Sequence, residues 1–308
     1  MQRRLVAVAA VLAACAAAVP GAEARTDNRS KPVYFIHGFA NGSDSNCNMW
    51  TDMTGKFRDW GHSGTFYKMK YYHNDSNCNA DLDHHGSHST HYGNGHTGGS
   101  HTEDTDIRHL GYHLAWHIYD HHSRGGGYVD VVAHSMGGLI TRYAIAQVQR
   151  GHSAFPPSIR VEDAVTLGTP HGGARFADAC AINCNTQVQQ MKMGSSFLVW
   201  LQDNAWNPQG YGGTDWTTMG SDDDNAVAAD RAAATDSDRD PVNKYMGSCH
   251  KTWYTTKNDI EHSDFLHDMQ TTTTAEAYVR HCSGGFTFYT GSYWPVRRSD
   301  LAVTYGSQ

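Results

Sequence analysis

In the stretch "VDVVAHSMGGLITRYAI", residues 129 to 145, Ser135 stands between a β-branched apolar run and a helical pattern. A serine hydroxyl is a poor nucleophile at neutral pH. It becomes a good one when a base takes its proton, a third group orients that base, and donors hold the developing oxyanion. A sharp strand-to-helix turn would lift the Ser135 hydroxyl out of the sheet edge. The small residues Ala133, Gly137 and Gly138 permit such a bend. The helix start adds a favourable dipole and a free amide at Met136. The plain alternative is an ordinary turn, so the elements around it have to decide.

Those elements alternate. "PVYFIHGFA" reads as a buried strand followed by glycine, "MWTDMTGKFRDWG" as a helix stopped at Gly61, and "GTFYKMKYY" as a strand. In "TEDTDIRHLGYHLAWHIYDHH", Ile107, Leu110, Leu114 and Ile118 recur at helical spacing behind an acidic first turn. "GYVDVVA", "VEDAVTLGTPHGG", "DWTTMGS" and "HKTWYTT" read as strands, and "FLHDMQTTTTAEAYVRHC" as the final helix. Residues 172–212 read as irregular, and the tail "GGFTFYTGSYWPV" as aromatic strand. Strands alternating with helices predict an α/β fold with a mostly parallel sheet covered on both faces.

The four stretches "YFIHGF", "VVAHSMGGLITRY", "TLGTPHGG" and "MGSSFLVWL" leading to "DWTTMGSDDDNAV" occur in the order found in one superfamily. On these residues the chain resembles the α/β-hydrolases, and more narrowly the secreted bacterial lipases and esterases with an A-H-S-x-G nucleophile elbow. The resemblance implies a catalytic order of Ser, Asp, His. The serine is Ser135. The acid follows a late strand in a pattern of Asp, two residues, then Val, which makes it Asp224, with Asp222 and Asp223 as adjacent competitors. The histidine follows the last core strand and is His262, with His267 as runner-up. The oxyanion hole would combine the backbone amides of Phe39 and Met136. The activity implied is hydrolysis of carboxylic esters, acylglycerols and other lipid esters first, through an acyl-enzyme. Phospholipases, polyester hydrolases and acyltransferases use the same triad. Trp200, Leu201 and Trp206 are the expected substrate-binding residues, within a cap or pocket wall spanning about 172–212. His37, His134 and His171 read as packing or hydrogen-bonding residues.

The chain has 308 residues. Arg3 and Arg4, the apolar run "LVAVAAVLAACAAAV" and "AEA" ending at Ala24 read as a secretory signal peptide over 1–24, followed by a single catalytic domain over 25–308. "LAAC", ending at Cys15, leaves a lipoprotein anchored through that cysteine as the alternative to a free secreted protein. The formal net charge is −7 and the leader is itself positive, so the mature surface is acidic and ill suited to nucleic acid. Of seven cysteines, six lie beyond the leader. Proximity along the chain favours the disulfides 47–78, 180–184 and 249–282. The expected partner is an ester or lipid substrate, met by a monomer with transient contact at a lipid interface.

Histidines form a separate pattern. Eleven of the 21 fall between His84 and His122, partly within an insertion spanning about 73–101. His109, His113, His117 and His121 recur every four residues along one side of a helix, a spacing that suits zinc or copper. His84, His85, His88 and His91 read as solvated low-complexity sequence. "DSDRD", residues 236–240, alternates carboxylates as a calcium loop does. It has Pro241 where that loop needs glycine, and reads better as a surface cluster. No metal is assigned to the site and no cofactor is required, with calcium or zinc only in a structural role. A secreted histidine-rich metal-binding protein on a hydrolase scaffold is the rival from another class.

Overall fold

The computed structural model describes residues 28–82, 101–235, 245–267, 274–282, 284–291 and 293–305. The leader with Cys15, the loop histidines His84, His85, His88 and His91, and the acidic stretch 236–240 lie outside the described residues.

Short β-branched and aromatic runs give the strands β1 (Val33–Ile36), β2 (Phe66–Lys70), β3 (Ala80–Asp81), β4 (Val129–His134), β5 (Val161–Leu167), β6 (Asp215–Ser221), β7 (His250–Tyr254), β8 (Ala275–His281) and β9 (Thr287–Gly291). Among the described residues they form one sheet in the order β3-β2-β1-β4-β5-β6-β7-β8-β9. Neighbours from β3 to β7 pair parallel, and β8 runs antiparallel to both β7 and β9. A parallel sheet needs apolar cover on both faces, and the helices α1 (Thr51–Asp59), α2 (Ile107–His121), α3 (Met136–Gln149), the one-turn α7 (Ala229–Ala232) and α8 (Pro295–Tyr305) provide it. Alternation along β1 shows the division. Tyr34 and Ile36 join the core with Leu110 and Leu114 of α2 and Ile140 of α3. Val33 and Phe35 join Met53 and Phe57 of α1 and Val303 of α8. This is the mostly parallel, helix-flanked α/β sheet that the sequence leads one to expect.

The three expected disulfides, Cys47–Cys78, Cys180–Cys184 and Cys249–Cys282, are present. Such bonds fit an oxidising compartment. No helix among the described residues is long and apolar enough to cross a membrane.

Two sequence expectations differ from the fold. Residues 172–212 contain the short helices α4 (Arg175–Ala179), α5 (Thr186–Met191) and α6 (Ser196–Asn204) rather than irregular chain. Side-chain caps from Asn185 and Ser195 start the last two. Of the final helix expected over 265–282, residues 268–273 lie outside the described residues, and the rest forms a 3-10 turn, Asp264–Leu266, and β8. Ala275, Ala277 and Val279 alternate with partly exposed Glu276 and Tyr278, and pairing with β7 overrides the helical propensity of Ala, Glu and Arg. The last helix is instead α8. It begins at Pro295, a residue whose fixed φ and missing N–H suit a first helical position.

Candidate active site

β4 runs through the middle of the sheet and delivers its last residue straight into a turn. Ser135 holds φ 53° and ψ −130°, a backbone conformation that a side chain rarely tolerates. Such strain costs about 1–3 kcal/mol and persists only where neighbours enforce it. The Ser135 N–H donates to the Leu167 carbonyl at 2.8 Å, and Thr169 Oγ1 donates to the Ser135 carbonyl at 2.8 Å. The loop after β1 presses in from the other side. A Cβ on Gly38 would stand 2.5 Å from Ser135 Cβ, so only glycine allows this approach. α3 starts at Met136, whose N–H, at the first helical position, has no partner within the helix.

The chain after β6 brings in a carboxylate. Asp224 is fully buried, and its Oδ1 accepts the N–H groups of Ala226 at 2.9 Å and Val227 at 2.8 Å. Its Oδ2 lies 2.8 Å from His262 Nδ1. The loop after β7 supplies His262, whose side chain is 20% exposed, so one edge of the ring reaches solvent while the other meets the buried acid. A carboxylate at Nδ1 holds the proton there and leaves Nε2 as the basic nitrogen. The loop after β5 passes directly behind this pair. A Cβ on Gly168, at φ 56°, would stand 3.0 Å from His262 Nδ1 and 3.1 Å from Asp224 Oδ2. Among the described residues no hydrogen bond joins Ser135 Oγ to His262.

The competing residues are engaged elsewhere. Asp222 Oδ1 accepts the Trp253 indole N–H at 2.7 Å. The Asp223 carboxyl is pushed up by partial burial, then by the charges of Asp259 and Asp222. His267 pairs with Asp52 at 2.9 Å, both side chains about half exposed.

The flanking histidines position backbone. His134 Nε2 donates to the His262 carbonyl at 2.8 Å, with the two rings 4.6 Å apart, so the residue before the serine anchors the histidine loop. His37 bonds Asp75 at 2.9 Å and the Gly38 carbonyl at 2.9 Å, and stacks on Tyr71. Burial opposes ionisation of Asp75, yet the hydrogen bonds from His37, Tyr71 and Tyr72 outweigh it and hold that carboxyl below its usual value. His171 lies between Thr166 Oγ1 and Arg142.

Burial, then the neighbouring His262, pushes His134 from 6.5 down to about 3. The folded form therefore takes up this proton less readily than the unfolded chain. Its contribution to stability is full above pH 6.5 and is lost as pH falls from there towards 3. By pH 5 the loss is on the order of 2 kcal/mol. His134→Asn should therefore melt below wild type at pH 7 but lose less Tm between pH 7 and pH 5. Parallel melting curves for the two proteins, followed by scanning fluorimetry, would sink this account.

The residues expected to bind substrate make the following contacts. Trp200 packs on Tyr143 of α3, with ring centroids 5.0 Å apart, two helical turns beyond Ser135. Leu201 is fully buried, and its carbonyl accepts from Arg142 at 3.0 Å. Trp206 is 40% exposed and lies against Gly247. Arg142, buried and pushed down by that burial to about 9, also bonds the carbonyls of Ala205 and Tyr245. It pins α6 and the chain after it to α3, a role for which the sequence has no local signal. Phe39, half-buried on the loop after β1, stacks on Phe176 of α4, which is 37% exposed. A polar cavity of about 680 Å³, lined in part by Asp106, Arg108, Lys192 and Ser195, includes none of Ser135, Asp224 or His262.

The model of a family described as "Putative serine esterase (DUF676)" matches residues 28–202. No curated protein matches the chain. Among solved structures, the chain is similar to the mature form of a lipase from Bacillus licheniformis, with 20% identity and a TM-score of 0.44, over 68% of this chain and 81% of that one. It is similar to lipase B from Aspergillus fumigatus, with 15% identity and a TM-score of 0.46, over 77% of this chain and 49% of that one. It is similar also to a phospholipase from Legionella pneumophila, with 12% identity and a TM-score of 0.44, over 66% of this chain and 44% of that one. The chain thus spans less than half the length of the last two.

Proposed function

The chain belongs to the family described as "Putative serine esterase (DUF676)", and we propose that it is a secreted hydrolase of carboxylic esters, acting on acyl and lipid esters through Ser135, His262 and Asp224. The observation that carries the reading is the 2.8 Å contact of His262 Nδ1 with buried Asp224, beside a serine held at φ 53°.

Ser135 Oγ attacks the ester carbonyl while His262 Nε2 takes its proton. Asp224 holds the imidazole tautomer and stabilises the imidazolium, without itself becoming protonated. Its second oxygen is already saturated by two backbone N–H groups, which fixes the carboxylate's orientation. The tetrahedral oxyanion is held by the amides of Phe39 and Met136, one from the loop after β1 and one from the start of α3. His262 then protonates the leaving alcohol. Water reverses the path and frees the acid. No cofactor enters any step, and a monomer suffices.

Phe39 on the loop after β1, stacked on Phe176 of α4, favours an apolar acyl or aryl group, with brief contact at a lipid surface. Phospholipase, polyester hydrolase and acyltransferase activity on the same triad are the alternatives. Hydrolysis of p-nitrophenyl esters from acetate to palmitate tests the reading. Turnover is expected, with an optimum in chain length that separates short-chain esterase from lipase. Failure to turn over any of them would remove the ester-hydrolase reading.

A further inference from the structure

The histidine stripe of α2 divides in the fold. His117 Nδ1 lies 2.9 Å from the Tyr34 hydroxyl, and the His121 ring stacks on His117 at 4.0 Å. His109 and His113 turn instead towards His101, which precedes the helix. His109 Nε2 lies 3.1 Å from His101 Nε2 and 3.0 Å from His113 Nε2. All three residues are at most 2% exposed, and their ligand atoms lie within 4.8 Å of one another.

A single two-centre hydrogen bond at His109 Nε2 satisfies one of these contacts and not both. A ring nitrogen has one in-plane proton or one in-plane lone pair. His109 Nε2 cannot donate to one neighbour while accepting from the other. A cation accepts the lone pairs of all three. Tetrahedral zinc with Zn–N near 2.0–2.1 Å places its ligand nitrogens about 3.3 Å apart, close to the separations here. The i, i+4 spacing of His109 and His113 sets two ligands on one helix face. The neighbouring carboxylate of Asp106 is engaged by Arg108 and Gln190, and belongs to the cap of α2.

The geometry points to His101, His109 and His113 as a three-histidine site for a divalent transition metal of the zinc and copper class. Water or a further side chain would complete a tetrahedron. The site joins the segment ahead of α2 to the helix itself. His73 donates its backbone N–H to the His101 carbonyl at 3.0 Å, so the chain after β2 is tied to the same point. α2 in turn packs on α3, where Gly111 meets Ile140 and Tyr143. The metal is therefore structural, a clamp on the layer behind the nucleophile, and takes no part in the ester chemistry. The inference does not depend on the hydrolase reading.

The full mature chain, stripped with chelator, is titrated with Zn²⁺ by calorimetry and with Co²⁺ by visible absorption. Two variants accompany it. One has His101→Asn, His109→Gln and His113→Gln. The other has His84, His85, His88 and His91 changed to Asn, which removes adventitious loop ligands. Wild type and the loop variant are expected to bind one equivalent tightly, with the absorption of low-coordinate Co²⁺ and a Tm raised by about 5 °C or more. The three-histidine variant should lose at least ~100-fold in affinity for that equivalent. If it does not fold, His113→Asn alone should weaken binding in the same direction. Tight stoichiometric binding retained without these histidines, or no tight binding by wild type, overturns the proposal.

Discussion

Ser135→Ala is expected to lower kcat/KM on a p-nitrophenyl ester by about 10⁴-fold or more, with KM changed little. The substitution removes the attacking oxygen and nothing else that touches substrate. The amides of Phe39 and Met136 and the apolar loop residues stay in place, so binding survives and chemistry does not. Thermal stability should hardly move, because alanine keeps a Cβ in the same φ 53° conformation. Ser135→Gly is the informative partner. Glycine adopts that conformation freely, so this variant should be as inactive as Ser135→Ala yet melt higher, by the order of 1 kcal/mol of released strain. Equal melting temperatures would mean that the elbow stores no strain. Residual activity near wild type would mean that Ser135 is not the nucleophile.

Asp224→Asn should lower kcat by about 10³–10⁴-fold. The two backbone N–H groups from Ala226 and Val227 fix which way an amide must turn. Its oxygen has to accept those bonds, which aims its NH₂ at His262 Nδ1. The histidine then has to accept at Nδ1 and hold its proton on Nε2, the nitrogen that should take the serine proton. Geometry is kept and the tautomer is wrong. Asp223→Asn, one residue away, should change kcat by less than about threefold, since its carboxylate does not meet His262. Steady-state kinetics on the two variants decides between the registers. A larger loss in Asp223→Asn would move the acid by one residue.

How legible this was in the sequence varies with how local the determinants are. The elbow is local. A β-branched run, a serine and two glycines before helical spacing specify strand, turn and helix without help from distant residues. β6 is similar, since "DWTTMGS" is bounded by turn residues on both sides. The pairing of Asp224 with His262 reached the sequence reading only through family resemblance, because nothing near either residue names the other. β8 defeats local reading. Its Ala, Glu and Arg favour helix, and only pairing between β7 and β9 makes it a strand. The contacts of α6 are equally non-local: Arg142 holds the Leu201 carbonyl and Tyr143 meets the Trp200 ring, both from the middle of α3. The histidine stripe is local in one respect only. Spacing identifies which rings share a face of α2, and says nothing of His101, which meets two of them from outside the helix.

Ser135 is proposed as a nucleophile activated by His262 and Asp224. Reaction with a fluorophosphonate probe tests it most directly, because the probe needs the activated oxygen and no particular ester specificity. The labelled residue is located by peptide mass spectrometry, for wild type and for His262→Ala. Stoichiometric labelling of wild type at Ser135 is expected, with labelling slowed by about 10³-fold or more without the histidine. Labelling at another residue, no labelling of an enzyme that hydrolyses esters, or equal rates in the two proteins would contradict this reading.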